Sequence, residues 1–88
     1  MNESASVLIA IKSVSVNKEF VLARIALNDR GVFMVSVVSE AGDLMHKRFV
    51  QLEIGDNNLK MPVGTLQRGQ YILTVLKGEQ LVNRRFVH

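Results

Sequence analysis

The sequence contains no cysteine and only one proline among its 88 residues. Without thiols, neither a disulfide nor a thiolate metal site can staple the chain, so its stability rests on packing. No apolar run approaches the ~20 residues that span a membrane. The first residues do not read as a signal peptide: Val7–Ile11 is too short, Lys12 interrupts it, and Glu3 stands where positive charge is expected. Basic residues form no dense run, so the electrostatic footprint of a nucleic-acid binder is weak. Helix-forming residues do not cluster at spacings of three and four, so no amphipathic helix is expected.

What is present is a β composition. Apolar residues make up 48% of the chain and charged residues 22%, which argues against disorder. The apolar set is mostly Val, Leu and Ile with four Phe and one Tyr, side chains suited to a pleated, half-buried surface. The length fits one domain, residues 1–88, with a thin core. Net charge is +3 and unevenly spread. Residues 1–44 hold four Lys/Arg against five acids, and residues 45–88 hold seven against three, so the second half is the basic one.

Six glycines, at 31, 42, 55, 64, 69 and 78, separate short apolar segments at the spacing of a sandwich or barrel. Seven strands are expected: Ser6–Val14, Glu19–Leu27, Val32–Ser39, Leu44–Leu52, Leu59–Val63, Gln70–Leu76 and Gln80–Val87. Asn17-Lys18 and Asn28-Asp29-Arg30-Gly31 are turn signals. Glu40-Ala41-Gly42-Asp43 should close a hairpin with Gly42 left-handed, and Lys77-Gly78-Glu79 another. Gly55-Asp56-Asn57-Asn58 reads as a loop, and Gly64–Gly69 as a connection that holds Leu66. Pro62 fits an edge position or a strand end, since it cannot donate to a ladder. The expected fold class is all-β, an immunoglobulin-like antiparallel β-sandwich.

Residues for chemistry are sparse. His46 lies on a predicted strand and His88 at the far end, with no ligand cluster around either. The carboxylates fall mostly in or beside turns and form no acid–base pair. No Gly-x-Ser-x-Gly elbow and no phosphate loop occurs. The reading is of a protein that is not an enzyme and needs no cofactor or metal.

Three segments stand above background. Leu66 to Val75 contains Gly69-Gln70-Tyr71, where Gly69 turns the chain into a strand and Tyr71 can bury its ring while its hydroxyl reaches a backbone partner at the corner. The last strand carries adjacent arginines, Arg84 and Arg85, which must point to opposite faces; one can be solvated and the other must lie near an edge or beyond the end of the sandwich. Val35 to Met45 is a hairpin around Gly42.

In this order the three segments resemble the type A C-terminal sorting domains of the type IX secretion system of Bacteroidetes. The matching positions are Phe33–Met45 around Gly42, then Leu66, Gly69, Tyr71, Leu73 and Val75, then Lys77-Gly78 and Arg84-Arg85-Phe86-Val87. The resemblance covers residues 18–88. Asn17-Lys18 stands near the family's usual opening Asn-Pro, and Asp43 where a basic residue often follows the glycine.

The resemblance implies a non-catalytic domain that directs export of an attached cargo. Its implied partners are the outer-membrane secretion machinery and a processing peptidase. Its implied location is the periplasm in transit, then the cell surface or medium. The recognition candidates are Gly69, Tyr71, Lys77, Gly78, Arg84 and Arg85, with Gly69 and Tyr71 setting the shape and the basic residues touching the machinery. The alternative is a stand-alone secreted immunoglobulin-like module that binds a protein or glycan, which requires an exposed apolar or aromatic patch on one sheet. A nucleic-acid binder would need aromatic residues beside Lys47, Arg48, Arg84 and Arg85 on one face. Exposed edges in so short a sandwich would also allow self-association by strand pairing.

Overall fold

The computed structural model describes residues 7–88. Ser6, the expected start of the first strand, lies outside the described residues, as does Glu3. Seven strands follow one another: β1 (Ile9–Val16), β2 (Phe20–Leu27), β3 (Gly31–Ser39), β4 (Leu44–Leu52), β5 (Gly55–Pro62), β6 (Gln70–Lys77) and β7 (Gln80–Val87). They form two antiparallel sheets, ordered β1-β2-β5 and β4-β3-β6-β7, with no helix among the described residues. The result is an immunoglobulin-like sandwich.

Period-two alternation supplies the core. β2 turns Val21, Ala23, Ile25 and Leu27 inward, β3 turns Phe33, Val35 and Val37, and β6 turns Tyr71, Leu73 and Val75; all are buried. Leu59 and Met61 of β5 and Phe86 of β7 close the cluster. Each fully buried side chain of this kind contributes on the order of 1.5–3 kcal/mol.

The turns follow the local sequence. The Asn17 side chain accepts from the backbone N–H groups of Glu19 and Phe20 at 2.8 and 2.7 Å, which pins the β1–β2 hairpin. At the β3–β4 turn, Gly42 has φ of 95° and donates its N–H to Ser39 O at 2.9 Å, while the Ser39 hydroxyl accepts from Asp43 N at 3.0 Å. Gly78 has φ of 59° and no other residue of the β6–β7 turn has a positive φ, the pattern of a type II′ hairpin with glycine first.

Two expectations need correction. β1 runs two residues further than Val14, because a bulge between Ile11 and Ser13 resets the alternation and brings Val14 and Val16 inward. Gly55-Asp56-Asn57-Asn58 is not a loop but the first half of β5, paired to Leu27, Ala26, Ile25 and Arg24. The turn lies before it, at Glu53-Ile54. The Asn57 side chain closes that turn by accepting from Glu53 N at 2.9 Å and donating to Glu53 O at 2.8 Å. The polar run misled because Asn57, on the inward register ahead of Leu59 and Met61, gives its side chain to the turn, while Asp56 and Asn58 point outward. Pro62 ends β5, as its missing N–H requires.

Candidate functional site

The two outer faces of the sandwich differ. The three-stranded sheet presents a shallow depression lined by Ser13, Arg24, Asn58 and Lys60 with Leu22 as its exposed apolar side chain, and the Lys60 ammonium lies 4.3 Å from the Phe20 ring centroid. The four-stranded sheet presents apolar side chains. The strand register sets Phe49, Met34, Leu76 and Leu81 side by side across β4, β3, β6 and β7. Phe49 is 66% exposed and Leu81 55%. A second row holds Lys47, Ser36, Thr74 and Asn83, and a third holds Leu44, Val38, Ile72 and Arg85. Ser36 and Thr74 hydrogen-bond through their hydroxyls at the centre, where Ser36 is buried.

The only charged side chains in these three rows are Lys47 and Arg85, both cationic. Of the carboxylates among the described residues, Glu40, Asp43, Glu53 and Glu79 lie in turns or connections outside the rows. The one ion pair among the described residues is an exposed contact of 3.9 Å between Lys12 and Asp56, on the other sheet.

The six recognition candidates do not gather at one place. Gly69, Tyr71 and Arg85 lie at one pole, where Gly69 and His88 pair through both backbone bonds at 3.3 and 2.9 Å. Lys77 and Gly78 lie at the opposite pole, ~20 Å away along β6.

Their roles differ as well. Tyr71 is buried; its hydroxyl donates to Gln67 O at 2.5 Å, and its ring stacks on Phe86 at 5.9 Å. This is the tyrosine corner expected from Gly-x-Tyr, and it fixes the fold rather than offering a contact. Lys77 folds back over the Phe33 ring at 5.4 Å, with Nζ 3.5 Å from Val32 O. Gly31 leaves room for it, since a Cβ there would stand 2.6 Å from that Nζ.

The adjacent arginines point to opposite faces. Arg85 stands on the outer face beside Ile72. Arg84 lies on the inward register of β7, opposite Leu73, and donates from its guanidinium to Ile11 O on β1. Arg48 does the same on the other flank, reaching from β4 to Lys60 O on β5 at 3.4 Å. Sequence reasoning missed that second bridge, although the neighbouring cations Lys47 and Arg48 carry the same signal as Arg84 and Arg85. Lys47 lies near Phe49 on the outer face, at 5.9 Å, but Arg48 and Arg84 reach across the sandwich flanks, so the four cations do not share one face. His46 is half-buried, on the register opposite Val37. Among the described residues no cluster of three or more His, Cys, Asp and Glu could hold a metal ion.

No family model matches the sequence, and no curated protein matches it. Similar solved structures include a β-glucosidase from Kluyveromyces marxianus in complex with glucose and the same enzyme labelled with selenomethionine. They superpose with TM-scores of 0.65 and 0.66 at 12% identity, over 93% of this chain. The chain spans 14% of the length of those enzymes, and the likeness shows the fold alone.

Proposed function

We propose that the chain is a non-catalytic sorting domain, recognised in its folded form by an outer-membrane secretion machinery of the type IX kind, which exports the cargo attached to it. One observation carries the reading. All the strands behind the resemblance, the β3–β4 hairpin, the Gly69-x-Tyr71 strand and the β6–β7 hairpin, belong to the four-stranded sheet. The three-stranded sheet contributes none of them. In this reading Gly69 and Tyr71 set the shape, Gly78 sets the final hairpin, and Arg85 is the cation that contacts the machinery. Lys77 and Arg84 support that surface through backbone carbonyls of β3 and β1. The domain acts in the periplasm, and the cargo ends at the cell surface or in the medium, with a peptidase removing the label.

An export assay tests this. Residues 1–88 are fused behind a signal peptide and a fluorescent cargo in a Bacteroidetes host, with a translocon-deficient strain as control. Cargo should appear outside the cell only where the translocon is intact, and truncation before Gly78 should abolish export. Arg85→Glu, which leaves the core untouched, should reduce export of a folded fusion. A folded fusion retained in the periplasm would reject the sorting role.

The second reading, a stand-alone module that binds a protein or glycan, is favoured by the apolar row Phe49, Met34, Leu76 and Leu81, exposed at its two ends and half-buried at its centre. Neither reading includes a catalytic step or a cofactor.

A further inference from the structure

We infer that the outer face of the four-stranded sheet docks a protein segment that carries apolar side chains and carboxylates together. The inference rests on reading the chain as a recognition module, whichever route uses it.

The composition of the face states the chemistry of its occupant. Its first row is apolar across all four strands, and Phe49, Leu81, Val32 and Leu44 are each more than half exposed. The first row, with Val32 beside it, is the apolar patch proper, and a polar row separates it from Leu44; an exposed apolar patch of this kind marks an interaction site. Its two charges are Lys47 on β4 and Arg85 on β7, three strand spacings and one row apart, ~16 Å. Among the described residues neither has a carboxylate within ion-pair distance, although Glu40 borders the same small hollow as Arg85. An occupant with Leu- or Phe-type side chains on the first row and acidic groups toward Lys47 and Arg85 satisfies both features.

The same charges disfavour a second copy of this chain. Two such faces in contact would bring four cations together, while the carboxylates that border the face, Glu79 and Glu40, lie only at its two ends, and like-charge contact costs affinity. Addition of a partner strand at an edge is disfavoured too. β1 is bulged at Ile11–Ser13, β4 is bulged opposite Val37–Val38, β5 ends in Pro62, and β7 carries the inward-register Arg84. The face is therefore the route to association. Its extent, on the order of 400 Å² from strand spacing and rise, is about half of a standard one-sided interface, the scale of a short docked segment.

The test is a displayed library of random 12-residue peptides, selected on the immobilised 88-residue chain and followed by anisotropy titration of the selected peptides. The expected peptides combine Asp or Glu with Leu, Ile, Phe or Trp. Phe49→Ser should weaken them at least tenfold, while Leu22→Ser on the opposite sheet should leave them unchanged. The double variant Lys47→Glu/Arg85→Glu should lose them and, on reselection, yield peptides rich in Lys and Arg. All these positions are exposed, and circular dichroism verifies folding of each variant. Peptides without carboxylates, or binding indifferent to Phe49→Ser, would overturn the inference. So would a wild-type dimer in sedimentation that Phe49→Ser dissolves, which would assign the face to a second copy. Equal dependence on Phe49 and Lys47 for binding phosphatidylglycerol–phosphatidylcholine vesicles would assign it to a lipid surface. Loss of export with peptide binding intact removes the sorting role and leaves this inference standing; the converse pattern does the reverse.

Discussion

Arg84 on β7 donates to the carbonyl of Ile11 on β1, 73 residues earlier in the chain. The bulge that follows Ile11 interrupts the regular pairing of β1 with β2 at this point. Arg48 makes the equivalent reach from β4 to Lys60 O on β5. Each open flank of the sandwich is thus crossed by one arginine of the four-stranded sheet, bound to a backbone oxygen of the three-stranded sheet. The cations also lie where a foreign strand would have to pair.

Replacing either arginine with methionine keeps most of the apolar stem and removes the donor. Each change should cost ~0.5–1.5 kcal/mol, toward the lower end because both groups are solvated. The two lie on opposite flanks and share no partner, so the double variant should show the sum. Urea denaturation reads this directly. A strongly non-additive double variant would mean that the two bridges act through a common movement of the sheets.

Tyr71→Phe keeps the stacking on Phe86 and loses the hydroxyl bond to Gln67 O. The expected loss is ~1–2 kcal/mol. Tyr71→Ala also empties the corner of the core and should cost ~3–5 kcal/mol. Stability curves for the two variants separate the corner bond from the ring. Equal losses would assign the whole role to the hydroxyl bond, and no loss in Tyr71→Phe would assign it to packing.

Gly31 and Lys77 form a pair that a double-mutant cycle can resolve. Gly31→Ala introduces a methyl group that would stand 2.6 Å from Lys77 Nζ, at a backbone φ of 154° that side-chain residues rarely adopt. In the wild-type background the change should displace the ammonium from Val32 O and from the Phe33 ring. In a Lys77→Ala background only the backbone cost remains, so the coupling energy should be ~0.5–1 kcal/mol. A coupling of zero would place the cost entirely in the φ angle.

The parts of this fold that were legible in the sequence are those written in local chemistry. Asn17, Gly42 and Gly78 mark their turns because each supplies something the turn demands, an amide oxygen or a positive φ. Tyr71 could be placed at a corner because Gly69 precedes it by two and alternation follows. The start of β5 was hidden, since Asn57 performs a turn function from within a strand, through its side chain alone. The bulge in β1 was hidden for a related reason: Lys12, the extra residue, looks like any outward position. The apolar outer face was the hardest to read. Apolar residues on both faces of β3 are what a strand buried on both sides would show, and only the pairing with Phe49 and Leu76 reveals that one face is open.

The shared direction of β1 and β7 has a mechanical consequence. Val7 borders the hollow beside Lys77 and Gly78, whereas His88 pairs with Gly69 near Val16 and Asn17 at the other pole. β1 and β7 lie against each other and both run from the Gly78 pole to the Gly69 pole. Tension between these two ends would therefore slide β1 along β7 rather than peel them apart, loading the contacts of that seam together, the Arg84 bridge among them. Resistance to pulling is a matter of unfolding rate rather than of equilibrium stability. A domain strung this way should yield at higher force when pulled from its two ends than when pulled across the β6–β7 turn.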